Sequence, residues 1–139
     1  MPAIRSPRDL VAWQLCMELS DHVHTLTSSG RIPAAFKFRD QLREAAAAAP
    51  AHVAEGFGRF TPRDFANYLR MAVGTLAETR THLERGVRQG YFTATQHADA
   101  TRLCDRALDM TRKLLAAKLR QIAEEERQKQ AARKPPPHR

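Results

Sequence analysis

The sequence predicts an all-α fold, an antiparallel four-helix bundle with up-down-up-down topology. Four segments repeat apolar residues at intervals of three and four, which is the period of an amphipathic helix. Capping and stop signals separate these segments, and the short connections favour antiparallel neighbours. No segment alternates apolar and polar residues in the manner of a half-buried strand. The length of 139 residues suits one domain.

The first helix opens with a capping signal. Ser6 stands at the N-cap position, Pro7 at the first helical position and Asp9 at the third, an order that helix starts favour. The residues predicted to be buried follow intervals of four and three: Ala12, Cys16, Leu19, Val23 and Leu26. Trp13 and Met17 are predicted to broaden this face, and Gly30 lies in the turn that ends the helix.

The second helix is predicted to begin near Ala34. Its predicted buried residues are Phe38, Leu42, Ala45, Ala49 and Val53. Pro50 interrupts this segment, and because proline removes a backbone donor and clashes with the preceding turn, it predicts a kink. The alternative is that Pro50 divides the segment into two helices.

A break is predicted over residues 55–60, where Gly56 and Gly58 would permit backbone angles closed to other residues. Thr61 then caps a third helix that ends at Gly90, and Thr93 with Gln96 forms a capping box for a fourth. The predicted buried residues of the third helix are Phe65, Leu69, Ala72, Leu76, Leu83 and Val87. Those of the fourth are Cys104, Leu108, Thr111, Leu115 and Ile122.

The formal net charge of +8 is concentrated near the C-terminus. Residues 1–111 carry 14 basic and 12 acidic side chains, whereas residues 112–139 carry nine basic and three acidic. We therefore divide the chain into a bundle domain, residues 1–123, and a basic helical extension that frays into a disordered proline-rich tail, residues 124–139. Such charge is typical of proteins that bind nucleic acid, and it is equally compatible with a solubilising tail.

Sequence signals for other function classes are lacking. No run of about 18 apolar residues and no signal peptide is found, so a cytoplasmic protein without membrane contact is expected. The two cysteines, Cys16 and Cys104, form no CxxC pair. Glu78 precedes His82 by four residues rather than by the three of di-iron bundles. We expect no metal, no cofactor and no enzymatic activity.

Arginine makes up 18 of the 23 basic residues, and its guanidinium group binds phosphate in a bidentate manner that lysine cannot match. The residues predicted to contact phosphate are Arg39, Arg43, Arg63, Arg70, Arg112, Lys113, Lys118 and Arg120. The tail residues predicted to add nonspecific attraction are Arg127, Lys129, Arg133 and Lys134. The alternative is an ordinary solvated surface.

Several segments together resemble one protein family. They are DLVAWQ at residues 9–14, QLREA at 41–45, AEGFGR at 54–59, and the spaced series Phe65, Tyr68, Leu69, Ala72, Gly74, Thr75 and Glu78. Residues 8–122 thus resemble the bacterial four-helix-bundle family of ribosomal-RNA intervening-sequence proteins. That family is in turn similar to the accessory variability determinant of diversity-generating retroelements. The sequence departs from the family pattern at Glu44, which replaces a basic residue, and around Pro50, whose usual polar neighbours are missing.

The resemblance implies a non-catalytic homopentameric ring. In the retroelement branch it implies an accessory protein that binds a reverse transcriptase and its RNA or DNA; the alternative is a structural, RNA-associated oligomer without that partner. Residues expected to have structural roles in the shared motifs are Trp13, Pro50, Glu55, Gly56, Gly58 and Arg59. Glu55 and Arg59 lie four residues apart and are predicted to pair across the glycine corner.

Overall fold

The computed structural model describes residues 3–30, 32–133 and 137. Four helices follow one another: α1 at Val11–Leu26, α2 at Phe36–Phe57, α3 at Pro62–Arg88 and α4 at Ala94–Arg133. Short 3-10 turns at Pro7–Asp9 and Ile32–Ala34 precede α1 and α2. The described residues include no strand, so the all-helical prediction is confirmed for that part of the chain.

Each helix packs against two others in chain order. The contacts join α1 with α2, α2 with α3, α3 with α4, and α4 with α1. Arg80 reaches Asp105 while Arg63, earlier in α3, reaches Glu126, later in α4, so these two helices run in opposite directions. The short connections between consecutive helices complete the up-down-up-down arrangement of a four-helix bundle.

The predicted core is largely confirmed. All the positions predicted as buried on α1 and α2 are buried, and so are most of those on α3 and α4. Val87, Leu115 and Ile122 are half-buried instead, because they lie where neighbouring helices end. Met17 was predicted to broaden the buried face of α1, but its side chain is 36% exposed. The half-buried Trp13 packs against the core as expected.

The cap at Ser6 serves a shorter element than predicted. The Ser6 hydroxyl accepts a hydrogen bond from the Arg8 amide, and the Asp9 carboxylate accepts one from the Ser6 amide, which closes a capping box around the 3-10 turn. Leu10 then adopts extended angles (φ −85°, ψ 125°). This residue separates the turn from α1, so the helix begins at Val11 rather than at Pro7.

Pro50 lies inside one continuous helix, and the alternative of two helices is wrong. The proline ring is buried, and the neighbouring Ala46 and Ala49 are fully buried as well. Their small side chains allow close packing before the proline, and Val53 is fully buried after it. Burial on both sides of the missing donor holds α2 together through the interruption.

The corner between α2 and α3 is shorter than predicted, because α2 continues through Phe57. Gly58 has right-handed angles (φ −74°), and positive φ values occur among the described residues only at Gly30 and Gly90. The prediction that Gly56 and Gly58 supply unusual backbone angles is therefore wrong. Gly56 is required for packing instead: a Cβ atom there would lie 2.8 Å from Phe65 Cδ1 and 2.9 Å from Tyr68 Cβ.

Helix α4 passes the domain boundary predicted at residue 123 without a break. It has 40 residues, or about 60 Å at 1.5 Å per residue. Every residue from 123 to 133 is exposed, yet the segment predicted to fray is regular helix as far as Arg133. Most of the proline-rich tail, including Lys134, lies outside the described residues.

Candidate nucleic-acid interface

Arg43 was predicted to contact phosphate, but its guanidinium group holds the end of α1. Its Nε atom donates to the Thr27 hydroxyl at 2.8 Å, and Nη2 donates to the Ser28 hydroxyl at 3.0 Å and to the His24 carbonyl at 3.4 Å. These groups belong to the C-terminal turn of α1, where carbonyl groups lack helical partners and a cation is favourable. Arg43 is half-buried, and two of its three guanidinium nitrogens donate to this turn, so its role in this structure is structural.

Three other predicted residues have exposed partners within the chain. Arg39 pairs with Asp40 at 2.9 Å, and Arg63 pairs with Glu126 at 3.3 Å. Arg70 donates to the Asn67 amide oxygen at 3.1 Å. Surface contacts of this kind contribute only about 0.2–1 kcal/mol, so they leave these cations free to exchange partners.

The remaining predicted residues lie on α4. Arg112, Lys113 and Arg120 are exposed and make no hydrogen bond or ion pair with any other described side chain. Lys118 is half-buried; its ammonium group lies 5.1 Å from the centre of the Phe65 ring and 3.4 Å from the Gln121 amide oxygen. The structure thus concentrates the unpaired part of the predicted set on one helix.

A row of cations follows the solvent-facing side of α4. We call it the outer stripe, and it consists of Arg102, Arg106, Lys113, Arg120 and Arg127. Successive intervals of four, seven, seven and seven residues keep these positions on one face, since seven residues are nearly two helical turns. All five side chains are exposed, and the stripe is about 37 Å long.

Arg102 and Arg106 are absent from the predicted set, because that prediction followed the excess of basic residues near the C-terminus. Plotting the cations of α4 by helical position would have found both. Acidic groups moderate the stripe: Arg102 pairs with Asp99 at 3.5 Å, Arg127 pairs with Glu124, and Asp109 lies between Arg106 and Lys113.

The predicted tail cations are only partly free. Lys129 and Arg133 are exposed and, within the described chain, make no ion pair. Glu124, Glu125 and Glu126 lie in the same stretch of helix. They offset the positive charge between residues 123 and 133, so Arg106, Lys113 and Arg120 are the stronger candidates.

The corner residues have different partners from those predicted. Arg59 donates from Nη2 to the Tyr68 hydroxyl at 2.6 Å, and its guanidinium carbon lies 5.0 Å from the centre of that ring. Glu55 lies 3.8 Å from Nδ1 of His52. The predicted pair of Glu55 with Arg59 is therefore replaced by a contact between α3 and the corner, which fixes the corner against Tyr68.

Both cysteines are buried, as expected for small apolar groups. Burial raises the pKa of Cys16 to about 11 and that of Cys104 to about 12. Cys16 Sγ lies 3.9 Å from the Thr111 hydroxyl, and Cys104 Sγ donates to the Leu76 carbonyl at 3.4 Å. With these raised pKa values both thiols are neutral at ordinary pH. Since the nucleophilic form of cysteine is the thiolate, they serve as packing groups.

Two further structural findings concern the described residues. No cluster of three His, Cys, Asp or Glu side chains there could hold a metal ion. None of the described helices combines the length and apolarity needed to cross a lipid bilayer.

Comparison with solved structures shows the fold of a similar protein. The crystal structure of a protein of unknown function from the S23 ribosomal protein family of Bacteroides thetaiotaomicron VPI-5482 has a TM-score of 0.69 with this chain. The two share 18% sequence identity over 76% of this chain and 98% of that one. Among curated proteins, none matches the sequence significantly.

Together these observations define a small all-helical bundle protein with an exposed basic face on its last helix. The model of the 23S rRNA-intervening sequence protein family matches residues 8–113. The chain belongs to this family. The match ends within the outer stripe, so Lys118, Arg120 and the residues after them lie beyond it.

Proposed function

We propose that the protein binds the phosphate backbone of nucleic acid along the outer stripe of α4, without catalysing a reaction. The observation that carries the proposal is a set of three exposed cations at intervals of seven residues, Arg106, Lys113 and Arg120, which make no ion pair with another described side chain. Successive members lie about 10 Å apart along the helix. Phosphate contacts of this kind are independent of sequence and release counterions, so affinity falls with salt.

The test is a filter-binding salt titration with a 16-base-pair duplex. The variant Arg106→Gln/Lys113→Gln/Arg120→Gln removes the three free cations of the stripe. We expect weaker binding and a salt slope shallower by about 1 for each contact removed. The matched control is Arg5→Gln/Arg8→Gln/Arg88→Gln, which removes the same charge from exposed positions outside α4. Equal affinities for the two variants would contradict the proposal.

We further propose that five copies form a ring and that the nucleic acid belongs to a complex with a reverse transcriptase. The resemblance to retroelement accessory proteins supports both points. A bundle of this size also gains stability from association. A reverse transcriptase co-expressed with the protein should co-purify with it, and repeated failure would oppose the partnership.

The second candidate function follows from the family. On this hypothesis the protein is an RNA-associated structural oligomer without a reverse-transcriptase partner, and the outer stripe contacts ribosomal RNA. Retained RNA binding by the wild-type protein, together with no reverse-transcriptase capture, would favour this function over the first.

A further inference from the structure

A groove lies at the end of the bundle where α2 begins and α3 ends. Its volume is about 470 Å³, which falls within the range of small-ligand sites. We call it the end groove; the side chains that matter to the argument are Phe36, Lys37, Gln41, Arg85, Gln89 and Tyr91. None of these residues belongs to the outer stripe.

Two aromatic rings are available at the end groove. Phe36 is the first residue of α2, and its side chain is 64% exposed. Tyr91 is half-buried and stacks on Phe38 with ring centres 4.8 Å apart and planes 25° apart. Apolar surface stabilises the fold only when it is removed from water. Because most of the Phe36 side chain is exposed, it contributes little to the stability of the fold.

The polar side chains of the end groove are two cations and two amides. Arg85 is held in place, because Nη1 donates to Nδ1 of His82 at 2.9 Å and the guanidinium carbon lies 5.7 Å from the centre of the Phe38 ring. Lys37, Gln41 and Gln89 are exposed. Among the described residues that line the groove none is acidic, so its charge favours an anionic ligand.

We propose that the end groove binds an unpaired nucleobase of a single strand, with the base stacked on Phe36 and Tyr91. The adjoining phosphate contacts Arg85 and Lys37, and the amides of Gln41 and Gln89 reach the base edge. Sites for single strands combine cations with aromatic rings in this way. This inference rests on the proposed nucleic-acid binding and adds a preference that the outer stripe cannot supply, since phosphate contacts do not recognise bases.

The partner is a single strand rather than a duplex because paired bases are stacked on each other and expose only their edges in the grooves. A peptide of acidic residues alone would satisfy the two cations and leave both rings without a stacking partner. A nucleotide can interact with all three kinds of group: its base with the rings and the amides, and its phosphate with the cations.

The test compares two 12-nucleotide strands of equal charge, oligothymidylate and an abasic strand. We expect the wild-type protein to bind the strand with bases about 5- to 150-fold more tightly. Phe36→Leu should abolish most of that preference, whereas Phe36→Tyr should keep it. The control Met71→Leu changes another exposed apolar residue and should also keep it. Circular dichroism checks that each variant is folded.

The outcomes separate the two proposals. Loss of the outer-stripe cations should weaken binding of both strands alike and leave the preference for bases. Equal wild-type affinity for the two strands, or a preference that survives Phe36→Leu, overturns the end groove as a base site but not the stripe. Absence of binding to either strand and to the duplex overturns both.

Discussion

Arginine has two distinct uses in this chain. Arg43 joins α2 to the C-terminal turn of α1 through three hydrogen bonds, whereas Arg106 and Arg120 extend into solvent from α4. The difference lies in what faces each side chain across the bundle. A guanidinium group beside the unpaired carbonyl groups of a helix end acts as a capping group. A guanidinium group that makes no ion pair within the described chain is available to bind a ligand.

Replacing Arg43 should therefore affect stability rather than binding. We expect Arg43→Gln to lower the free energy of unfolding by about 1–3 kcal/mol, because hydrogen bonds from a charged group are lost at the end of α1. Urea unfolding followed by circular dichroism measures the change. Arg39→Gln is the control, and it should cost less than about 1 kcal/mol since its pair with Asp40 is exposed. An unchanged stability for Arg43→Gln would contradict the capping role.

The buried thiols predict how stability depends on pH. Burial raises the pKa values of Cys16 and Cys104 to about 11 and about 12 in the folded chain, so between pH 9 and 11 the unfolded chain loses thiol protons that the folded chain keeps. The free energy of unfolding should fall as pH rises through this window, by up to about 1.4 kcal/mol per pH unit for each thiol.

Urea titrations at pH 8 and pH 10 test this dependence. The variant Cys16→Ala/Cys104→Ala lacks both thiols and should show a smaller loss of stability between the two pH values than the wild-type chain. Identical losses would mean that the thiols are not desolvated in the folded protein.

Sequence reasoning predicted the helical pattern well and the site only in part. The spacing of apolar residues predicts that Leu19, Leu42 and Leu76 are buried, because a core position is apolar whichever helix it packs against. The partner of Arg43 or Arg59 lies on another helix, and nothing in the local sequence shows that pairing. The exposed Phe36 escaped notice for the same reason: its exposure depends on where α3 ends.

At the scale of elements, local signals and tertiary packing differ at two places. Ser6 closes a single 3-10 turn because Leu10 is extended. Pro50 would end an isolated helix, yet α2 continues through it because residues on both sides are buried in the bundle. Propensity predicts what a segment prefers alone, and packing decides the result where the segment is buried.

The end of α4 is expected to be independent of the bundle's stability. Every residue from 123 to 133 is exposed, and the exposed ion pair between Arg63 and Glu126 contributes about 0.2–1 kcal/mol at most. A chain ending at Ile122 should therefore unfold in urea with nearly the wild-type free energy. A much larger loss would show that this segment packs against something, for which another copy of the chain is the first candidate.

At the scale of the whole molecule, most of the net charge lies in residues 112–139, which carry nine basic and three acidic side chains. In a ring of five, the net charge would be about +40, and each copy would contribute one outer stripe. Nucleic acid could then contact several stripes at once, which raises the effective affinity without any new contact.

The proposed ring predicts a definite mass. Five chains of 15.7 kDa give about 79 kDa, which multi-angle light scattering measures in solution. A mass of about 16 kDa at micromolar concentration would exclude the ring. The outer-stripe variant should retain the mass of the wild-type assembly if the stripe binds ligand rather than neighbouring copies.

The cyclic order of the helices also has a consequence for the folding kinetics. Three of the four packed seams join helices that follow each other in the chain, and such local contacts favour folding in microseconds to milliseconds. The seam between α1 and α4 is different, since Cys16 and Thr111 are 95 residues apart. Closing that distance costs the most chain entropy, so α1 should dock on α4 late, and substitutions at Cys16 should speed unfolding more than they slow folding.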